Sequence, residues 1–212
     1  KKKKKKQGKE KKILQNPGKN KTPKTVGIMG AGGGCGVTHF AVLLANYLAA
    51  VELERIAVIE WNPRNDLEKL VNIYTGGRKK NCPVSLLDID YFFHGGPEEF
   101  HTCMQKGYQT VLLDLGRAGE GRETEFLQCH KQCFFFALNE WKLKDVTAQK
   151  NLWKKGKGRW DFFMVFGSRE ARQEICRRYG LKVAQIPFAP DAFAIERETA
   201  EFFDHFWNQK EI

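Results

Sequence analysis

Val26-Gly-Ile-Met-Gly-Ala-Gly-Gly-Gly-Cys-Gly-Val-Thr-His39 starts as an apolar strand, breaks into five glycines within seven residues, and then meets a threonine. The apolar run Phe40-Ala-Val-Leu-Leu-Ala-Asn-Tyr-Leu-Ala49 follows directly. Strand, glycine-rich turn and helix in this order form the geometry whose backbone N–H groups converge on a phosphate at a helix N-terminus. A working loop of this kind carries a lysine immediately before the threonine, to meet the outer phosphates of a nucleotide. Here that position is Val37.

Working outward from the loop, apolar strands alternate with helical segments. Thr25 to Met29, Ile56 to Ile59, Thr110 to Leu115, Cys133 to Leu138, Asp161 to Phe166 and Leu181 to Ile186 read as buried strands. Thr38 to Ala50, Asp66 to Ile73, Pro97 to Lys106, Glu123 to Lys131, Lys142 to Lys154, Arg169 to Tyr179 and Asp191 to Trp207 have helical spacing. Val84 to Ile89 reads as either a strand or a short helix. The alternation predicts an α/β fold, a mostly parallel sheet with helices on both faces. Ligands in such sheets bind at the carboxyl ends of the strands. The glycine loop, Glu60 to Asp66, Asp114 to Gly119 and Gly167-Ser168 all fall on that edge.

Three of these stretches, in order, resemble the signatures of the MinD/ParA family of deviant P-loop ATPases. Gly32-Gly33-Gly34-Cys35-Gly36-Val37-Thr38-His39 lies over the family's K-G-G-x-G-K-T-T without gaps. Ile59-Glu60-Trp61-Asn62-Pro63-Arg64-Asn65-Asp66-Leu67 lies over an apolar strand ending in D-x-D-P-Q-x-N-L. Val111 to Gly116 matches a strand ending in Asp114 and a small-residue turn, and Leu181 to Asp191 resembles the late strand and Ile-Pro-x-x-x-Asp turn near the base. The resemblance implies a three-layer P-loop NTPase architecture over roughly residues 25–205. It also implies ATP or ADP with Mg²⁺ as the ligand and residues 32 to 39 as the cradle. Thr38 would face the metal, with Asp114 behind it.

The departures point away from catalysis. The lysine that meets the outer phosphates is Val37, and the family's second lysine, which reaches across a dimer interface, is Gly32. The carboxylate that helps position the attacking water falls on Asn62, which cannot act as a base. What is lost is charge stabilisation of the transferring phosphoryl group, the main part of phosphoryl-transfer catalysis. Arg64, Arg117 and Arg122 sit on loops at the same edge, where an arginine can reach a phosphate, although a loop arginine is more often merely solvated. His39 can contact phosphate or simply pack at the helix start. Degenerate loops of this kind resemble the TadZ/CpaE group, which implies a positioning or assembly factor with a secretion-system partner, and a homodimer.

The charge is confined to one end. Residues 1–24 hold twelve lysines against Glu10 alone, which accounts for the whole formal charge of +11 and leaves residues 25–212 neutral overall. That segment is too polar to offset its chain entropy and is expected to be a disordered tail or linker ahead of a single domain over 25–212. It either stays solvated or contacts anionic membrane or nucleic acid through lysine's non-specific charge. In the second case the chain is a structural adaptor. No stretch reaches the roughly 18–20 apolar residues of a membrane span, and the expected location is cytoplasmic, free or tethered at the membrane. The six cysteines lack disulfide-framework spacing and read as reduced thiols. Cys129, His130 and Cys133 with His101 and Cys103 can be drawn as a metal site, but no CxxC pair supports it.

Overall fold

In a computed structural model of the chain, residues 22–77 and 82–208 are described; the lysine-rich segment 1–21 lies outside them. Eight strands form one sheet: β1 Lys24–Gly30, β2 Ile56–Glu60, β3 Val84–Leu86, β4 Ile89–Phe92, β5 Thr110–Arg117, β6 Lys131–Leu138, β7 Asp161–Gly167 and β8 Val183–Gln185. Their order is β3-β4-β2-β5-β1-β6-β7-β8, and every pair is parallel except β3 with β4. The glycine-bearing strand β1 is central, flanked by β5 and β6.

The helices are α1 Val37–Ala50, α2 Asp66–Thr75, α3 Pro97–Gln105, α4 Glu123–Gln128, α5 Leu143–Ala148, α6 Lys150–Trp153, α7 Arg169–Tyr179 and α8 Arg197–Asn208. Two apolar layers separate them. Phe40 and Leu44 of α1, Leu67 and Val71 of α2, and Phe203 and Phe206 of α8 pack on one face. Cys103 of α3, Phe126 of α4, Val146 of α5, Trp153 of α6 and Ile175 of α7 pack on the other. The period-2 alternation of a strand divides the aromatic run of β6 between them, with Phe135 in the first layer and Phe134 and Phe136 in the second. These phenylalanines are fully buried core residues. Among the described residues, no helix is long and apolar enough to cross a membrane.

Several expected elements differ. Val84 to Ile89 is a hairpin, β3 and β4, whose turn residues Leu87 (φ 53) and Asp88 (φ 61) both take positive φ. This is the backbone of a tight two-residue hairpin, without the Asn-Gly that normally signals it. The expected helix from Lys142 to Lys154 is broken at Gln149, between α5 and α6. The break carries Trp153 into the core, where its indole N–H donates to the Val146 carbonyl at 2.8 Å. The helix expected from Glu123 to Lys131 stops at Gln128, because Cys129 is already extended (φ −68, ψ 150) on the way into β6. The last helix begins at Arg197, not Asp191. Asp191 instead closes a turn, accepting the Phe193 N–H at 2.9 Å and the Tyr74 hydroxyl at 3.1 Å.

Helix α7 shows a local signal acting as written. The Ser168 hydroxyl accepts the Ala171 N–H at 3.0 Å, and Gly180 ends the helix in the left-handed region (φ 63). Ser168→Ala is expected to lower stability by about 1 kcal/mol, read as a lower urea midpoint at unchanged slope.

Candidate functional site

The sheet's carboxyl edge converges on the glycine loop. The loop is strapped down at its start, where Ala31 N–H donates to the Phe135 carbonyl and Ala118 N–H to the Gly30 carbonyl, both at 2.8 Å. It enters α1 through Gly36, which sits at φ 89 with no side-chain cap. A Cβ there would also lie 2.8 Å from the Val165 side chain, so both the backbone and the packing require glycine. The first-turn amides of α1 therefore face the cleft with no capping side chain, at the positive end of the helix dipole.

Asp114, within β5, organises the floor and is fully buried. Its Oδ2 accepts the Thr38 hydroxyl at 2.6 Å. Its Oδ1 accepts the Asn62 side-chain amide at 3.0 Å and the Gly116 N–H at 3.1 Å. Asn62 also donates to the Asp114 carbonyl at 3.1 Å and accepts the Arg64 N–H at 3.1 Å. Burial pushes the Asp114 carboxyl up to about 6, opposed by the donors Thr38 and Gly116. Because the Thr38 hydroxyl gives its proton to Asp114, its oxygen lone pairs remain for a cation. The pair thus fits a Mg²⁺ site in which Thr38 is the ligand and Asp114 stands behind it.

Glu60, opposite Asp114 across the β2–β5 ladder, is equally buried but turned to structure. It accepts the N–H groups of Leu67 (2.7 Å) and Glu68 (3.3 Å), the first turn of α2. Burial raises its pKa.

Gly32, Gly34, Cys35, Gly36, Val37, Thr38 and His39 line one cleft of about 180 Å³, together with Arg64, Asp66 and Gly116. Gly33 lines a second cavity of about 460 Å³, with Gly32, Arg117, Lys142 and Asp145. Arg122 lines neither. Val37 is 8 % exposed and belongs to the apolar layer under α1. A Cβ on Gly32 would collide with the Asp145 carboxylate, so a carboxylate stands where the family's second lysine would begin. Burial raises the Cys35 thiol, which is not a reactive thiolate. His39 is partly buried, and burial lowers its pKa against the opposing Ala189 carbonyl and Asp191.

Asp66 and Gly116 join the cleft in addition to the residues the sequence motifs name, and both belong to the matched segments. Gly116 carries a usable signal: at φ 68, with Asn62 Cβ 2.9 Å from where its own Cβ would be, it must be glycine. The cysteine–histidine grouping has a structural role instead: His130 Nδ1 and the Thr25 hydroxyl lie 2.7 Å apart. Among the described residues, no three His, Cys, Asp or Glu side chains gather as a metal site.

No protein-family profile matches the sequence, and no curated protein sequence does. Solved structures match throughout. A ParA family ATPase from Chlorobium tepidum superposes with a TM-score of 0.63 at 14 % identity, over 88 % of this chain and 99 % of its own. The septum site-determining protein MinD of Pyrococcus horikoshii, complexed with Mg-ADP, gives 0.60 at 15 %, over 90 % and 100 %. A putative plasmid partition protein of Borrelia burgdorferi bound to AMPPNP gives 0.58 at 12 %, over 88 % and 97 %. The chain therefore has the fold of the ParA/MinD P-loop ATPases: an α/β, mostly parallel eight-stranded sheet with helices on both faces. At these identities the likeness defines the fold alone.

Proposed function

We propose that the chain is a nucleotide-binding domain of ParA/MinD type that takes ATP or ADP with Mg²⁺, hydrolyses ATP weakly or not at all, and serves as a positioning or assembly factor. A TadZ/CpaE-like role beside a secretion or pilus machine, as a homodimer, is the form of that function favoured by the pattern of losses. The observation that carries the reading is the asymmetry of the cleft. Its metal side is built, with Thr38 hydrogen-bonded to Asp114 at 2.6 Å, and its catalytic side is not. Val37 brings no cation, and Asn62 spends its amide on Asp114 instead of carrying a carboxylate. Mg²⁺, when bound, would neutralise phosphate charge from the Thr38 hydroxyl. The α1 amides would bind the phosphate, and the buried Asp114 would orient Thr38.

A fluorescent ATP analogue titrated with Mg²⁺ and with chelator tests this reading. Saturable binding is expected, strengthened about tenfold by Mg²⁺, with negligible phosphate release. Thr38→Val, which keeps the shape and removes the hydroxyl, is expected to erase the Mg²⁺ increment. Absence of saturable binding in the wild type would sink the reading and leave a structural adaptor; brisk turnover would show that a substitute catalytic group exists.

A further inference from the structure

We propose that Arg64 is the cation this cleft presents to phosphate, delivering from the opposite wall the charge that Val37 does not carry. The inference rests on the reading that the cleft takes a phosphorylated ligand, and it assigns the residue that selects more than one phosphate. Arg64 follows β2 on the loop into α2, and its backbone is pinned, the N–H donating to Asn62 Oδ1 at 3.1 Å. Its side chain crosses the glycine loop. Both terminal guanidinium nitrogens lie 3.3 Å from where a Cβ on Gly33 would be, so the guanidinium sits against the loop. Arg64 also lines the cleft that Thr38 and Gly116 line. It is 29 % exposed, so its charge is only partly screened by solvent.

The other cations at this edge are otherwise engaged or elsewhere. Arg117 is clamped to Glu120 at 2.6 Å and faces the second cavity. Lys142 faces that cavity too, 3.7 Å from Asp145. Arg64 forms a long ion pair with Glu120 at 3.7 Å, beyond hydrogen-bond length, and Arg117 holds the same carboxylate oxygen at 2.6 Å. Its guanidinium thus keeps donors to offer, and a phosphate oxygen is the acceptor its planar fork suits best. One phosphate on the α1 amides and a second beneath Arg64 would use both walls of the cleft.

The test compares wild type, Arg64→Gln and Arg64→Lys, using a fluorescent ATP analogue with Mg²⁺ at low and high salt, with thermal midpoints as the folding control. Arg64→Gln keeps a polar, neutral side chain with two N–H donors and removes the charge. It is expected to weaken binding about tenfold at low salt, with a smaller deficit at high salt, where a charge contact is screened. Arg64→Lys, which restores the charge without the fork, should recover part of the loss. Wild-type-like affinity in Arg64→Gln, or a deficit equal at both salts and not rescued by lysine, overturns the inference and leaves nucleotide binding standing. A wild type that does not bind overturns both.

Discussion

Replacing Phe40 with alanine is expected to lower the unfolding free energy by about 3–5 kcal/mol, the range for emptying a buried aromatic site. Phe40 is 1 % exposed and lies in the first turn of α1, two residues beyond Thr38. Its ring centre is 4.8 Å from Phe135 of β6, 5.4 Å from Phe163 of β7, and 5.5 Å and 6.3 Å from Phe203 and Phe206 of α8. One side chain therefore joins the helix that carries the site, two strands and the C-terminal helix. Four rings that lose a common partner cannot all move inward, because each is held by others: Phe135 packs on Phe163, and Phe203 on Tyr47. The void is expected to persist, which places the loss in the upper part of the range. Urea unfolding reads it as a lower midpoint at unchanged slope. Because the first turn of α1 holds Thr38, nucleotide affinity should fall with stability. A loss under about 1 kcal/mol would mean that the aromatic cluster closes around the gap.

The same cluster shows what a sequence can disclose. The strand from Val26 into five glycines, the apolar helix behind it, and the continuous apolar run around Phe135 are plain in the sequence, and each forms where the pattern puts it. The last helix rests on the sheet through Phe203 and Phe206. Elements depart from the sequence pattern where a tertiary contact outweighs it. Trp153 breaks its helix to reach the Val146 carbonyl, and Asp191 caps a turn that helical spacing had absorbed. The β3–β4 turn hides because Leu87 and Asp88 supply positive φ without glycine or asparagine. In the site, motif spacing puts Thr38, Asp114 and Asn62 on the sheet's carboxyl edge, and hydrogen bonds join the three there. It could not show that Arg64 folds back over Gly33 or that Asp145 stands against Gly32, because both contacts join segments distant in the chain. The charge partition at residues 1–24 is legible in composition alone, and most of that stretch lies outside the described residues.

Restoring the missing carboxylate by Asn62→Asp is expected to destabilise the ligand-free protein by about 2–4 kcal/mol at neutral pH. In the native arrangement the Asn62 amide donates to Asp114 Oδ1 at 3.0 Å, with both residues buried. An aspartate at 62 would replace that donor with a second acceptor, leaving two carboxylates in contact where water is scarce. They cannot both ionise cheaply, so one would hold a proton with a folded-state pKa above its unfolded value of about 3.9. A raised folded pKa disfavours the folded state at pH above it, and the penalty fades as pH falls toward the unfolded value. The deficit measured by denaturation should therefore be large near neutrality and shrink at mildly acidic pH. A deficit that is flat with pH would exclude the shared proton. Bound Mg²⁺ should reduce it as well, by giving the pair a counter-charge. The consequence for activity is that Val37→Lys alone should not restore hydrolysis, since the lysine would meet phosphate while Asn62 still leaves the attacking water without its carboxylate. Turnover in that single variant, measured as phosphate release, would show that the water needs no carboxylate at position 62. Turnover only in the Val37→Lys, Asn62→Asp pair would show that hydrolysis in this cleft needs both groups together.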